Sequence, residues 1–343
     1  MYWEEYSPRS TLVVEGYPRT RAMFPFVDVH AHQFGAPRMS DGAIDTLVAA
    51  MDAMNMAIMV NLSGGSGDNL AAAVENLSDR HPGRFVHFAN ISFDGIEDPD
   101  WGRRTAEQLG RDVENGAVGL KIYKNLGMTA TDSSGRRIPV DDPRIDPVWA
   151  KCAELGIPVL IHTADPAPFW QPQDRFNERW FELKERPGRI RPPDEFPPWE
   201  DIIAEQHNLF TKHPQTTFIA AHLGWLGNDL GALADLLDAH PNVYSETGAV
   251  LAELGRQPRT AKAFLTRYKE RILIGKDAWS PEEYHAYFRT FETEDEYFDY
   301  YRLRHAFWKL YGLGLDEDVL RHLYYKNAVR IIPGLDRSML PAD

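Results

Sequence analysis

Eight short apolar segments alternate with helical segments along the 343-residue chain, and this alternation predicts a single (β/α)₈ barrel. The apolar segments are almost continuously hydrophobic, which is typical of strands that are covered on both faces. Helical segments and a His-Pro or Gly break separate them, as expected for parallel strands joined by crossover helices. Eight such units are the number that closes a barrel. The predicted strands span 24–32, 56–64, 84–93, 117–125, 158–166, 217–225, 242–250 and 271–279.

Apolar residues at helical spacing predict helices between these strands, most clearly at 41–54, 69–81, 231–240 and 258–270. Two long loops, roughly 166–200 and roughly 280–312, exceed what barrel connections require. They follow the fifth and eighth strands, at the end of a barrel where active sites lie, so we expect them to cover or line a site. The chain is expected to form one domain over 1–343, with the barrel occupying about 24–333.

The composition indicates a soluble acidic protein that acts on a small molecule. The formal net charge is −14, and an acidic surface repels phosphate backbones and anionic lipids, so we expect neither nucleic acid nor a membrane as a partner. The N-terminus lacks the pattern of a secretory signal, which favours a cytoplasmic protein or one whose signal peptide has been removed. A homo-oligomer is also expected. The single cysteine, Cys152, excludes an intrachain disulfide and a cysteine-based zinc site.

Metal-ligating side chains follow the predicted strands at their carboxyl ends. His30 and His32 close the first strand, and because residues two apart in a strand point to the same side, their imidazoles project together. His162, His222 and Asp277 end the fifth, sixth and eighth strands. A barrel brings all these ends onto one rim, where converging imidazoles and a carboxylate suit a zinc-type ion. Each histidine alone is more often structural, but the set together predicts a metal site.

The motifs VDVHAH, LIHTADP, IAAHLGW and ILIGKDAW, at the ends of these four strands, resemble those of the amidohydrolase superfamily. The resemblance is strongest to the amidohydrolase-related (amidohydrolase 2) branch, which includes the aminocarboxymuconate-semialdehyde decarboxylase-like enzymes. A late helix, YYKNAVRII at 324–332, is similar to the closing helix of that branch, so the resemblance covers about 25–333. Lys276 departs from the family, which more often has a small or hydroxyl residue there, and it is expected to point away from the metal.

The resemblance implies a TIM barrel with one divalent metal ion, zinc or alternatively manganese. It implies that His30, His32, His162 and Asp277 hold this ion. It also implies catalytic roles for His222, which takes or gives a proton, and for Asp277, which orients the water. An imidazole suits proton transfer because its ordinary pKa lies near neutrality.

Four further residues are candidate substrate contacts. Lys121, on the fourth strand, has three readings: a carboxylated lysine that bridges two metals, as in binuclear members of the superfamily, an ammonium that binds a substrate carboxylate or carbonyl, or a packing residue. Arg175 and Trp170 lie in the loop after the fifth strand and suit an anionic or aromatic substrate, although a solvated loop explains them as well. Glu246, on the seventh strand, is within possible reach of the pocket.

These residues favour a metal-dependent hydrolase of a small ester, lactone or amide-type substrate. The alternative is non-oxidative decarboxylation of an aromatic or unsaturated acid at the same metal site. A metal-free barrel that only binds a ligand is a third reading, which the intact ligand set disfavours. Carbon dioxide release distinguishes the first two readings, and metal analysis excludes or supports the third.

Overall fold

A computed structural model of the chain describes residues 1–2, 5–302, 305 and 308–342. Eight parallel strands follow one another around a nearly closed barrel in chain order, which confirms the predicted (β/α)₈ fold. The strands are β1 Phe26–Ala31, β2 Met56–Asn61, β3 Phe85–Asn90, β4 Ala117–Ile122, β5 Val159–Ile161, β6 Phe218–Ala220, β7 Val243–Glu246 and β8 Ile272–Leu273. A two-stranded antiparallel hairpin, β9 Phe298–Asp299 and β10 Lys309–Leu310, lies in the loop that follows the eighth strand.

Helices surround the barrel, and their buried apolar residues recur at helical spacing, as Ile44, Leu47 and Met51 do in the first helix. The helices are α1 Asp41–Met54, α2 Asp68–Ala73, α3 Trp101–Glu114, α4 Asp146–Leu155, α5 Trp180–Glu185, α6 Trp199–Lys212, α7 Leu230–Ala239, α8 Leu251–Arg256, α9 Pro258–Arg267, α10 Pro281–Glu292, α11 Glu317–Arg321 and α12 Asn327–Ile331. Within the described residues, no helix combines the length and the hydrophobicity needed to cross a bilayer.

The barrel closes between β1 and the chain that follows β8. Val29 N donates a hydrogen bond to Ile274 O at 3.1 Å, and Asp277 N donates to His30 O at 2.6 Å. Because β8 itself has only two residues, this closure depends on residues 274–277. It also brings Asp277 directly beside the histidines of β1.

All eight predicted strands extend beyond the observed ones, and two of these differences, in the sixth and eighth strands, affect the metal site. The strand predicted at 217–225 ends at Ala220, because the backbone from His222 to Trp225 turns into the left-handed region, with φ of 58°, 53°, 60° and 58°. Left-handed conformations strain residues other than glycine and occur mainly where the surrounding structure enforces them. The strand predicted at 271–279 leaves the sheet after Leu273. In both places a metal-site residue follows the strand rather than lying within it.

The barrel interior beneath the metal-site residues is closely packed. Gly119 on β4 faces the ring of Phe88 on β3, and a β-carbon at this position would overlap that ring. The glycine therefore leaves the space that the aromatic ring fills, two residues before Lys121 on the same strand.

We expect Gly119→Ala to lower the free energy of unfolding by about 1–3 kcal/mol, because overpacking forces neighbouring side chains from their rotamers. Urea denaturation would measure the change. Gly42→Ala is the matched control, since nothing lies within 4 Å of the added carbon in α1 and its stability should not fall. An unchanged midpoint for Gly119→Ala would contradict the packing described here.

Candidate metal centre

A β-bulge in β1 determines which way its polar side chains point. Asp28 pairs with Met59 and Ala31 with Asn61, so β1 advances three residues where β2 advances two. One extra residue in a strand bends it and redirects the side chains that follow. The bulge includes His30, the first of the predicted ligands.

The two sides of this bulge face different surroundings. Before it, Asp28 accepts a hydrogen bond from Tyr284 of α10, outside the barrel, at 2.5 Å. After it, His30 points inward, and its Nδ1 lies 2.9 Å from Glu246 Oε1 on β7. The bulge therefore turns His30 into the barrel interior, where β5 to β8 also end.

His30, His32 and Asp277 bring three ligand atoms together. His30 Nε2 lies 3.3 Å from His32 Nε2, and each of these nitrogens lies 3.5 Å from Asp277 Oδ1. A tetrahedral zinc site with metal–ligand distances of about 2.0–2.2 Å places neighbouring ligand atoms about 3.3–3.6 Å apart. The three atoms therefore have the spacing that such an ion requires. We call these three residues the ligand triad.

Glu246 lies behind the ligand triad and is fully buried. Besides contacting His30, its Oε1 accepts a hydrogen bond from His222 N at 2.6 Å, and its Oε2 accepts one from Gly248 N at 2.5 Å. Together with His30 and His222 it is a second group that could hold a metal. Because both of its oxygens already accept protein hydrogen bonds, the geometry favours an orienting role, like that of carboxylates which hold metal-binding histidines.

His30 presents an unprotonated nitrogen to the triad. A carboxylate oxygen only accepts, so His30 Nδ1 carries the proton toward Glu246 and Nε2 carries a lone pair. Burial lowers the pKa of His30 well below its usual range and that of His32 to about 4, and Lys121 acts in the same direction. Both imidazoles are therefore neutral near pH 7, the form in which histidine binds metals.

His222 and His162 form a second pair of imidazoles next to the triad. His222 Nδ1 lies 2.7 Å from Gly248 O, so this nitrogen donates, and Nε2 carries a lone pair that faces His162 Nδ1 at 3.3 Å. The His222 and His30 rings are 4.9 Å apart. Burial lowers the pKa of His162 well below its usual range, and its Nε2 is buried with no hydrogen-bond partner among the described residues. The structure thus brings all five predicted metal-site residues together.

The side chain of Lys121 is buried in the same interior, and its ammonium has no hydrogen-bond partner there among the described residues. The residue is 1% exposed, and its Nζ has no hydrogen-bond partner within the described chain. Burial lowers its pKa to about 8, while Asp277 and Glu246 act in the opposite direction. The ring of Tyr123 lies 5.6 Å from Nζ. A buried ammonium without a partner is costly, which favours an anionic group from outside the protein as its partner.

The structure does not bring Arg175 and Trp170 to this cluster. Arg175 is exposed and stacks on Phe176 at 4.8 Å. Trp170 is half-buried, and its Nε1 donates to Pro197 O at 2.8 Å within the same loop. Lys276 points away from the ligands, as expected, and its Nζ contacts Glu283.

The loop 166–200 nevertheless lies at the carboxyl end of the barrel. Asp165, just after β5, forms ion pairs at 2.6 Å with Lys124, just after β4, and with Arg191 of the loop. Trp199 Nε1 donates to Asp165 O at 3.0 Å. These contacts attach the loop to the rim that carries the metal-site residues.

Arg179 joins the two long loops in a buried polar network. It pairs with Glu182 at 3.0 Å and with Glu253 at 2.6 Å, and its Nη1 lies 2.8 Å from Nδ1 of His305 in the loop 280–312. The guanidinium of Arg179 is therefore paired within the protein and is not available to bind a substrate. Arg179 therefore stabilises the two loops.

Sequence reasoning missed several contributors to the site. Ser63 contacts His32 Nδ1 at 2.7 Å, and the Trp225 ring lies 4.6 Å from the His222 ring. Tyr123 lies 3.0 Å from Ser63. A signal existed for Tyr123, because it lies two residues after Lys121 and therefore points to the same side of the chain. Ser63 and Trp225 lie after the ends of β2 and β6, where the sequence does not reveal the path of the backbone.

The model of the amidohydrolase family matches residues 27–334 of this chain. No relative was found among curated proteins. A solved structure of 2,6-dihydroxybenzoate decarboxylase has 18% identity and a TM-score of 0.53, with 90% of this chain and 99% of that chain covered. A dihydroxybenzoic acid decarboxylase from Polaromonas with bound manganese has 16% identity and a TM-score of 0.56, with 90% and 97% covered. The 4-oxalomesaconate hydratase of Rhodopseudomonas palustris has 14% identity and a TM-score of 0.54, with 92% and 97% covered. At these identities the structures show a shared fold.

We expect one equivalent of divalent metal in the purified protein and little or none in His30→Ala or Asp277→Ala. Both variants should remain folded, because side chains at the active face of a barrel contribute more to function than to packing. Elemental analysis and circular dichroism would measure the two properties. His240→Ala, a half-buried residue that follows α7 and packs against Phe210, is the control that should keep its metal. Two equivalents in the wild type would contradict a single-metal site, and unfolded variants would indicate a structural ion.

Proposed function

This chain belongs to the amidohydrolase family, and we propose that it is a metal-dependent hydrolase of a small, anionic ester, lactone or amide-type substrate. The observation that carries the proposal is the convergence of three functions in one buried interior. The ligand triad can hold a divalent ion, the lone pair of His222 can accept a proton, and the ammonium of Lys121 lacks a partner.

A divalent ion would supply two things when bound here: it polarises a carbonyl oxygen, and it lowers the pKa of a water molecule to about 7. We propose His30, His32, His162 and Asp277 as its ligands. Zinc is the first expectation because the set combines imidazoles with one carboxylate, and manganese is the alternative, as in the Polaromonas decarboxylase.

His222 is the proposed proton carrier. Its Nδ1 proton is committed to Gly248 O, so Nε2 is the atom that accepts a proton from the attacking water and returns it to the leaving group. The left-handed backbone of residues 222–225 holds the ring in this orientation, and the indole of Trp225 packs against it at 4.6 Å.

Lys121 is the proposed binding group for the substrate. Asp277 and Glu246 balance the two charges of a divalent ion, so the ammonium of Lys121 remains as surplus positive charge in the buried site. A substrate carboxylate, or the oxygen of the carbonyl under attack, would complete its hydrogen bonding. Access is from the side of Asp277, whose side chain is 32% exposed.

Decarboxylation of an aromatic acid is the second candidate, and the aromatic surroundings of the site favour it. The Phe34 ring stacks on His32 at 5.2 Å, and the Tyr123 ring lies 5.9 Å from the same imidazole. Such rings suit an aromatic substrate. Two structures that share this fold belong to dihydroxybenzoate decarboxylases.

The two candidates are distinguished by screening small carboxylate-bearing esters, lactones, amides and aromatic acids with metal-loaded protein in ¹⁸O-labelled water. The proposal predicts one ¹⁸O atom in the product and no carbon dioxide. Carbon dioxide release with no ¹⁸O in the organic product would replace hydrolysis by decarboxylation. Turnover that persists after metal removal would contradict both candidates.

We expect His222→Asn to retain nearly stoichiometric metal and to lower kcat by roughly 10²–10⁴-fold, because it loses the group that moves the proton. Elemental analysis and steady-state kinetics would measure these effects. His240→Asn, which changes the half-buried histidine after α7, should change neither. Metal loss equal to that of His30→Ala would make His222 a ligand and would require a revised ligand set.

We expect Lys121→Met to lower kcat/KM by roughly 10–100-fold, which corresponds to losing a charged hydrogen bond of about 1.5–3 kcal/mol. The metal content should not change, and Lys262→Met, whose ammonium contacts Gly314 O at the outer surface, serves as the control. Mass spectrometry of the intact protein checks the rival reading. A carbamate on Lys121 together with two metal ions would contradict the role as a free ammonium.

A further inference from the structure

A chain of hydroxyl groups lies on the Nδ1 side of His32, opposite the Nε2 that faces His30 and Asp277. His32 Nδ1 lies 2.7 Å from Ser63 Oγ, and Ser63 Oγ lies 3.0 Å from the Tyr123 hydroxyl. The Tyr123 hydroxyl donates to the carbonyl oxygen of Leu62 at 3.1 Å. Asn90 Nδ2 also donates to this carbonyl, at 3.0 Å, and so helps to hold it in place. We call Ser63 and Tyr123 the hydroxyl chain.

The acceptor at the end of the hydroxyl chain sets its direction. A carbonyl oxygen only accepts, so the single proton of the Tyr123 hydroxyl points to Leu62 O. The phenolic oxygen then accepts the proton of Ser63. Ser63 Oγ, having donated its own proton, accepts from His32 Nδ1. In this arrangement His32 Nε2 carries a lone pair, directed at His30 Nε2 and Asp277 Oδ1.

We propose that Ser63 and Tyr123 are positioning residues that hold His32 in the tautomer whose Nε2 is free for a metal ion. The inference rests on the metal site of the proposed function, but not on which reaction follows. Partners behind a metal-binding histidine fix its ring and tautomer and typically change metal affinity by 10–100-fold.

The two histidines of β1 are oriented by different means. Glu246, a buried carboxylate, holds His30, whereas uncharged hydroxyls hold His32. A second carboxylate would add negative charge to the site and would attract the Lys121 ammonium, which lies 5.6 Å from the Tyr123 ring. A neutral chain orients His32 and leaves that ammonium available to a substrate.

Tyr123→Phe tests the proposal because it removes the oxygen that accepts the proton of Ser63. The serine can then turn and donate to His32 Nδ1, which moves the imidazole proton to Nε2, where it competes with the metal. We expect the zinc Kd of the metal-free protein, measured by competition with a chromophoric chelator, to rise by roughly 10–100-fold. Ser63→Ala should have a similar effect, and Ser63→Thr, which keeps the hydroxyl, should restore affinity.

Two variants control for the loss of a hydroxyl elsewhere. Tyr268→Phe removes a hydroxyl that contacts Asp238, and Ser78→Ala removes one that donates to Phe85 O; both lie on the outer layer. Their zinc Kd should equal that of the wild type. Nitrogen-15 NMR of labelled histidine in the metal-free protein gives a second readout, in which His32 should carry its proton on Nδ1 in the wild type and on Nε2 in Tyr123→Phe.

Unchanged zinc affinity in both Tyr123→Phe and Ser63→Ala would overturn the proposal, as would a proton on His32 Nε2 in the wild type. If Ser63→Ala does not fold, Tyr123→Phe and the NMR measurement decide alone. A wild-type protein that binds no metal would overturn the proposed function and this inference together. A wild-type protein that binds metal as tightly as its hydroxyl-chain variants would overturn this inference only.

Discussion

Three electron-pair donors within 3.5 Å of one another are the constraint on which this site depends. With both Nε2 atoms unprotonated, the two imidazoles and the carboxylate do not stabilise one another at that distance unless a cation lies between them. Much of the surrounding structure serves to keep the three donors there. The bulge in β1 directs His30 inward, the closure of the barrel brings Asp277 beside it, and Glu246 holds the ring from behind. The metal ion would then stabilise an arrangement that the barrel has already built.

Two charged groups in the same interior, the Glu246 carboxylate and the Lys121 ammonium, have different surroundings and different proposed roles. Glu246 is enclosed by protein hydrogen bonds, whereas the Lys121 ammonium has none among the described residues. A group that is buried and unpaired in the free protein gains most from a ligand that pairs with it. The loop 166–200 contributes in another way, because Arg179 and Arg191 pair with buried carboxylates and so attach the loop to the rest of the barrel.

The barrel could be predicted because its signal is repeated: eight apolar segments separated by helices leave few alternative folds. The metal-site residues could be predicted because each lies at or just after the carboxyl end of a strand, and strand order alone brings them to one rim. The bulge at His30 and the left-handed turn after Ala220 could not, because no local residue pattern marks them. Ser63 and Tyr123 are 60 residues apart in the chain, and only the pairing of β2, β3 and β4 brings them together. Arg175 looked functional by its type, but its place on an exposed loop tip depends on packing that the sequence does not state.

The most direct test of this account is a crystal structure of the metal-loaded protein with anomalous scattering measured at the absorption edge of the metal. We expect one anomalous peak about 2.0–2.2 Å from His30 Nε2, His32 Nε2, Asp277 Oδ1 and a ring nitrogen of His162, with the His222 ring close by but not required as a ligand. A peak centred between Glu246 and His222 would contradict it, because that carboxylate would then bind the ion and could not orient the imidazoles. Two peaks bridged by Lys121 would contradict it equally.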